Sequence, residues 1–253
     1  MKCYLIFFTV FTGSCVALNC QQVDGNLKQI DAGLGQVFGV NASNNVFTRY
    51  GNTWVQLPGE LKHVTVGPAG VWGVNTDNNI FKMVAGQWVN VPGLLVQIDA
   101  GGDEFISGVN MFDKVFCMNS QYSMAYSNAQ TLTQWENLPG GLTYYSCGPI
   151  GCWGVNSANQ IFLMNNVIPT SCMGNQQWQN IQGSLAMIEV GTDGTVYGVD
   201  NTGKIFRRDG ITNSTPAGTQ WTLVNICGNC KHVSYDLGVL WIIKDDGSIM
   251  TCS

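Results

Sequence analysis

The chain has 253 residues, 45% of them apolar and only 11% charged, with a net charge of -5 and a pI near 4.8. That length suits one large β domain or two small ones, and the apolar share supports a real core. A phosphate-neutralising surface needs clustered Lys and Arg; Arg49, Arg207 and Arg208 are the only three Arg, so nucleic acid is not an expected partner.

The first residues, "MKCYLIFFTVFTGSCVALNC", give Lys2, then an apolar run, then small residues. This is the layout of a signal peptide, with cleavage expected after Ala17, and the run is too short for a membrane span. The mature chain, 18–253, is expected to be secreted. Ten Cys are present. Cys3 and Cys15 leave with the signal; Cys20, Cys117, Cys147, Cys152, Cys172, Cys227, Cys230 and Cys252 remain. An even number in an exported chain reads as a disulfide framework. Zinc is a poor alternative: one C-x-x-C, at Cys227 and Cys230, has no second pair, and the chain has two His.

From Leu27 the chain repeats itself. "LKQIDAGLGQVFGVNASNNVFTRYGNTWVQLPG" is followed 34 residues later by "LKHVTVGPAGVWGVNTDNNIFKMVAGQWVNVPG". The anchor "GVN" recurs at Gly108–Asn110 and Gly154–Asn156, with "GVD" at Gly198–Asp200. Each unit closes on a Trp: Trp54, Trp88, Trp135, Trp178 and Trp221. A sixth unit begins at Cys230 and stops after three segments; its missing fourth is the N-terminal "CQQVDGNL", with Cys20 where the others have Trp.

Each unit holds four short runs of two-residue alternation separated by Gly, Asn, Asp and Pro, the pattern of antiparallel strands and tight turns. Four strands per roughly 40 residues make one propeller blade. The expected fold is all-β: a six-bladed β-propeller in a single domain, with blades near 27–59, 60–93, 94–140, 141–183, 184–228 and 229–253 plus 20–26. A linear solenoid needs no split repeat, whereas a ring closes through one, and a Cys20–Cys252 disulfide is expected to lock it. Cys147 and Cys152 flank a turn, and Cys117 and Cys172 sit in a strand and in the long insertion of the next blade; their connectivity stays open.

These repeats resemble tectonin repeats, and the pattern is similar to the fish egg lectin group, related to tachylectin-type lectins, from Cys20 to Cys252. The resemblance implies a propeller that binds glycans, particularly N-acetylglucosamine-containing ones on microbial surfaces. It also implies a role in egg or innate defence and a calcium ion in the central tunnel.

The residues themselves offer several candidate sites. The fifth position of the first strand reads Asp31, Thr65, Asp99, Ser146, Glu189 and Ser234. A ring of oxygens beside the tunnel suits a hard cation such as calcium, with Asp31, Asp99 and Glu189 as charged ligands; equally, polar groups on a tunnel wall can simply face water. His63 and His232 share one repeat position, which favours a structural role over a catalytic one. Sugar recognition needs planar polar groups and an aromatic face. Candidates are Asn75, Asp77, Asn78, Asn110, Asp113, Asn156, Asn159 and Asp200 in the turns between second and third strands, although these residue types are also turn formers. Among aromatics that break the repeat, Tyr122, Tyr126, Tyr144 and Tyr145 are candidate stacking platforms, and the insertions 119–134 and 165–177 break it too. The closing Trp residues, and the column Trp72, Trp153 and Trp241, read as packing between blades. Sequons stand at Asn41 and Asn213. No catalytic set emerges: two of three Arg are adjacent and so face opposite ways, and nothing singles out a carboxylate pair. The expectation is a secreted, non-catalytic lectin. A protein-interaction propeller of the egg envelope, or less so a glycoside hydrolase, is the alternative. A homo-oligomer is allowed but not required.

Overall fold

The computed structural model describes residues 18–128, 130–226 and 229–253. The expected signal peptide and Cys227 lie outside the described residues. Six antiparallel sheets of four strands each follow one another around a ring. Blade 1 runs Gln29–Gly33, Gln36–Val40, Asn45–Tyr50 and Thr53–Glu60. Blades 2 to 5 repeat this meander. The sixth pairs Cys230–Asp236, Val239–Lys244 and Ser248–Cys252 with the N-terminal strand Cys20–Asn26. First strands of successive blades lie side by side, and the last returns to the first, so the ring is closed. The Cys20–Cys252 disulfide joins directly opposed residues of the split blade, as the sequence predicts. Disulfides also link Cys117 to Cys172 and Cys147 to Cys152.

The repeated letters are contacts between strands and blades. Fourth positions of the first strands, Ile30, Val64, Ile98, Tyr145, Ile188 and Val233, have no exposed surface and form the inner core. The glycine of "GVN" makes room for the leucine that opens the unit: a Cβ on Gly39 would stand 2.5 Å from a Leu27 methyl. The split blade inverts the pair, with the small Cys230 in place of that leucine and Ile242 in place of the glycine. Both are buried in one cluster, so core volume is kept.

At the perimeter, each closing Trp staples its blade to the one before. The indole N–H of Trp88 donates to the Pro58 carbonyl at 2.9 Å, and Trp54, Trp135, Trp178 and Trp221 repeat the bond to Asp24, Pro92, Pro139 and Gln182. The adjoining glycine is obligatory. Gly59 has φ +90°, and a Cβ there would lie 2.9 Å from Trp88 Cδ1. The interface between blade 5 and the split blade has Cys20 at the Trp position and so has no such indole.

Insertions between third and fourth strands serve as roofs. The one in blade 3 carries a short helix, Ser120–Ser123, and lies over the groove of blade 2. There the buried Lys82 ammonium donates to the carbonyls of Ser123, Met124 and Tyr126 at 2.7, 3.2 and 3.1 Å. The insertion of blade 4 covers blade 3 and is tied down by Cys117–Cys172. That of blade 5, with Ile211 and Ala217, packs on the core of blade 4 that contains Trp153.

Candidate functional site

At the axis, two layers of side chains alternate blade by blade. In one layer the odd blades place Asp31, Asp99 and Glu189, and the even blades Thr65, Ser146 and Ser234. These oxygens reach sideways to the next blade. Val66 N–H donates to Asp31 at 2.6 Å, Ala100 to Thr65 at 2.9 Å, Cys147 to Asp99 at 2.9 Å, Val190 to Ser146 at 3.0 Å and Ala32 to Ser234 at 2.9 Å. The column is therefore a belt of hydrogen bonds between blades. In the second layer, Gln29 and Gln97 each clamp a neighbouring backbone with both amide atoms, to Val64 and Tyr145. From the even blades His63, Tyr144 and His232 meet edge to face, with ring centroids 5.9 to 6.3 Å apart. The Tyr144 hydroxyl lies 3.3 Å from His63 Nε2 and 3.0 Å from His232 Nε2. Together they narrow the tunnel until the space between them is too small for a water molecule.

Burial pushes the Asp31 carboxyl up to about 6 against the Val66 bond. Burial, aided by the charge of Asp31, pushes Asp99 up to about 7. Glu189 is raised for the same reasons, burial first. Both His are pushed down to about 3, chiefly by burial. The axis thus favours neutral forms. A calcium ion takes six to eight oxygen ligands, but both oxygens of Asp31 and of Asp99 are already engaged. Among the described residues no three acidic, His or Cys side chains are grouped to hold a metal. Asp31 and Asp99 as arranged serve inter-blade bonding, and Glu189 accepts from the Tyr144 hydroxyl at 3.5 Å.

The turns between second and third strands consume their own amides. Asn75 Oδ1 accepts the N–H groups of Asp77 and Asn79 at 3.1 and 2.9 Å. Asn41, Asn110, Asn156 and Asp200 do the same in their turns. Asn78, Asp113 and Asn159 adopt φ of 60° to 69°, a left-handed backbone that Asn and Asp tolerate. Asn78 also accepts the Lys62 ammonium. Asp77 is exposed. Among the proposed platforms, Tyr145 is fully buried against Trp178, Tyr126 is buried under the blade 3 roof, and Tyr144 lies in the tunnel. Tyr122 is partly buried in that roof. Tyr126 and Tyr145 therefore present no open face to a ligand, while Tyr122 and Tyr144 are partly exposed. Of the sequons, Asn213 is exposed, and Asn41 commits Oδ1 to its turn.

Two open grooves lie on opposite faces. On the turn face, Met111 and Phe112 stand where other blades have the small or polar pairs Ala42–Ser43, Thr76–Asp77, Ser157–Ala158 and Asn201–Thr202. With Leu94, Phe116 and Trp135, Met111 and Phe112 line an apolar groove of about 340 Å³. On the other face, a groove of about 310 Å³ is lined by Ile150, Asp193, Thr195, Tyr197, Arg207, Asp209 and Tyr235. It lies over blade 5, where a roof would come from the third-to-fourth connection of the split blade. Those two strands, Ser248–Cys252 and Cys20–Asn26, are not consecutive in the chain, so no loop joins them. Neither groove follows from the repeat itself. The signals for them are the apolar "MF" in a polar turn and the missing loop of the split unit.

Comparison with known proteins agrees with this architecture. The tectonin domain family matches residues 26–245. The fish-egg lectin of Cyprinus carpio is 57% identical over 236 residues, covering 93% of this chain and 98% of that protein. The perivitellin-2 31 kDa subunit of Pomacea maculata is 32% identical over 75 residues, 30% of this chain and 26% of its own. Among solved structures, a catalytically inactive virginiamycin B lyase from Staphylococcus aureus with quinupristin superposes with a TM-score of 0.60 at 14% identity, covering 93% and 99% of the two chains. Human WBSCR16 gives 0.55 at 11%, covering 90% and 72%. The last two share the fold alone. Near-complete coverage by the carp protein and the family match over all but the chain ends place this chain among the tectonin-domain proteins, as a lectin of the fish-egg lectin group.

Proposed function

We propose that this lectin is exported and binds N-acetylglucosamine-type glycans on microbial surfaces, in egg or innate defence, without catalysing a reaction. The observation that carries this reading is the 57% identity to a fish-egg lectin along nearly the whole propeller. Three disulfides among the described residues and the leader-like N-terminus support export. Binding by several weak sites on one ring, or on neighbouring rings, would gain strength through avidity on a dense coat. Isothermal titration of N-acetylglucosamine into the mature protein tests the reading, and saturable heat is expected. Prior treatment with EDTA should leave the affinity unchanged, because both oxygens of Asp31 and of Asp99 already accept hydrogen bonds. Loss of binding after EDTA would place a cation at the site. No heat with this sugar or a panel of other monosaccharides would sink the reading. The Met111–Phe112 groove favours a second reading, a protein partner docked on the turn face; Phe112 is 75% exposed there. Retention on a chitin resin with elution by free sugar separates the two.

A further inference from the structure

We propose that the unroofed groove of blade 5 is a subsite for one neutral pyranose, a refinement that rests on the lectin reading above. Blades 2, 3 and 4 have the equivalent space filled by the insertion of the following blade, and among the described residues no such insertion lies over blade 5. Tight hairpins at Gly51–Asn52 and Ala85–Gly86 leave blades 6 and 1 without a roof as well, so the blade 5 groove is set apart by its lining. Its volume of about 310 Å³ lies at the lower end of ligand pockets.

Its lining departs from the repeat in chemistry as well. Where the second strands of other blades have Phe38, Trp72, Ser107, Trp153 and Trp241, blade 5 has Tyr197. Where the third strands have Thr48, Lys82, Cys117, Leu163 and Thr251, it has Arg207. Arg207 is held rigidly. Its Nε and Nη2 donate to Asp209 Oδ1 at 3.0 and 2.9 Å, and the Thr222 hydroxyl donates to the other oxygen of Asp209. A guanidinium has five N–H donors, so this pairing leaves donors for a ligand. The Asp193 carboxylate stands at the exposed rim with one oxygen taken by Thr195 N–H at 2.8 Å; the other can accept from a sugar hydroxyl. Tyr197 and Tyr235 lie 5.1 Å apart and tilted by 39°, with Tyr235 the more open of the two. Ile150 and Ile211 add apolar wall. A fixed donor, a rim acceptor, an aromatic surface and an apolar wall match the hydroxyls and the C–H face of a pyranose.

Charge decides against an anionic sugar. The four charged lining residues, Arg207, Arg208, Asp193 and Asp209, sum to zero. Arg208 is already spent: its guanidinium lies over Trp221, and its Nε donates to the Ala217 carbonyl at 2.8 Å. Asp209 acts here as a positioning residue for Arg207.

The test is calorimetric titration of chitotriose, and separately of N-acetylneuraminic acid, into the mature protein and into Arg207→Lys and Asp193→Asn. Lys keeps the charge but loses the planar donor set, and Asp193 is exposed, so its variant should melt like the parent. The expected result is that both variants lose one site from the chitotriose stoichiometry, or bind at one site at least tenfold more weakly, with the remaining sites unchanged. Parent and variants binding chitotriose identically would overturn the subsite while leaving the lectin reading intact. A parent that binds no sugar overturns both. Tighter binding of N-acetylneuraminic acid that Arg207→Lys abolishes would overturn the assignment to a neutral ring.

Discussion

Blades 2 to 4 and blade 5 are built on one pattern yet end differently at the insertion face. In the first three, a neighbour's loop closes the groove, whether with a buried Lys82, a disulfide or an apolar cluster. In blade 5 the neighbour is the split blade, and the groove stays open with Arg207, Asp193 and two Tyr on its walls. The same junction is the one interface without an indole staple. The junction of blade 5 with the split blade thus combines the missing indole with an open groove of charged and aromatic lining.

The largest effect should come from opening the seam within the split blade. Replacing Cys20 by Ser frees a link across 232 residues, worth about 5 kcal/mol by loop entropy. Replacing both Cys147 and Cys152 by Ser opens a link across five residues, worth about 2 kcal/mol. Urea unfolding of both variants measures the contrast, and equal losses would mean that the split blade is no weaker than the rest. At a regular interface, Trp88→Ala should cost about 3 kcal/mol, the lower end for a large aromatic because the ring is only half-buried. A loss under about 1 kcal/mol would show that the perimeter staples add little beside the axial belt. The axial layer itself should reveal its contribution mainly in pH dependence. With Asp99 raised to about 7 from 3.8, the folded state binds a proton that the unfolded chain has released, so stability falls as pH rises from about 4 to about 7. His63 and His232, lowered to about 3 from 6.5, act oppositely, and their contribution is lost as pH falls from about 6.5 to about 3. Asp99→Asn keeps an acceptor for Cys147 N–H and should lessen the decline on the rising side, leaving the share due to Asp31 and Glu189. Melting temperatures from pH 4 to 8 would show it, and an unchanged profile would mean that Asp99 does not titrate in this range.

Much of the fold is legible in the sequence because the repeat is a contact pattern. "GVN", the opening leucine and the closing Trp each meet a fixed partner, so their recurrence locates six blades and the split one. The polar column was legible too, but its direction was not: alternation places a side chain on a face without saying whether it points along the tunnel or across to the next blade. Likewise Asn75 reads as a ligand or as a turn former until its bonds to Asp77 and Asn79 are seen. The blade 5 groove escaped because its lining is gathered from three blades, with Ile150, Tyr197 and Tyr235 far apart in the chain.

The alternation at the axis sets a rule of parity. Carboxylates come from blades 1, 3 and 5 and hydroxyls from blades 2, 4 and 6, so every acid has non-acid neighbours around the belt. Adding or deleting one blade would force two acids, or two hydroxyl blades, side by side at some junction. In an odd-numbered ring with acids adjacent, their repulsion would add to the burial that already holds these groups near neutrality. A pair of blades is thus the smallest unit by which this propeller can grow or shrink without breaking its own electrostatic pattern.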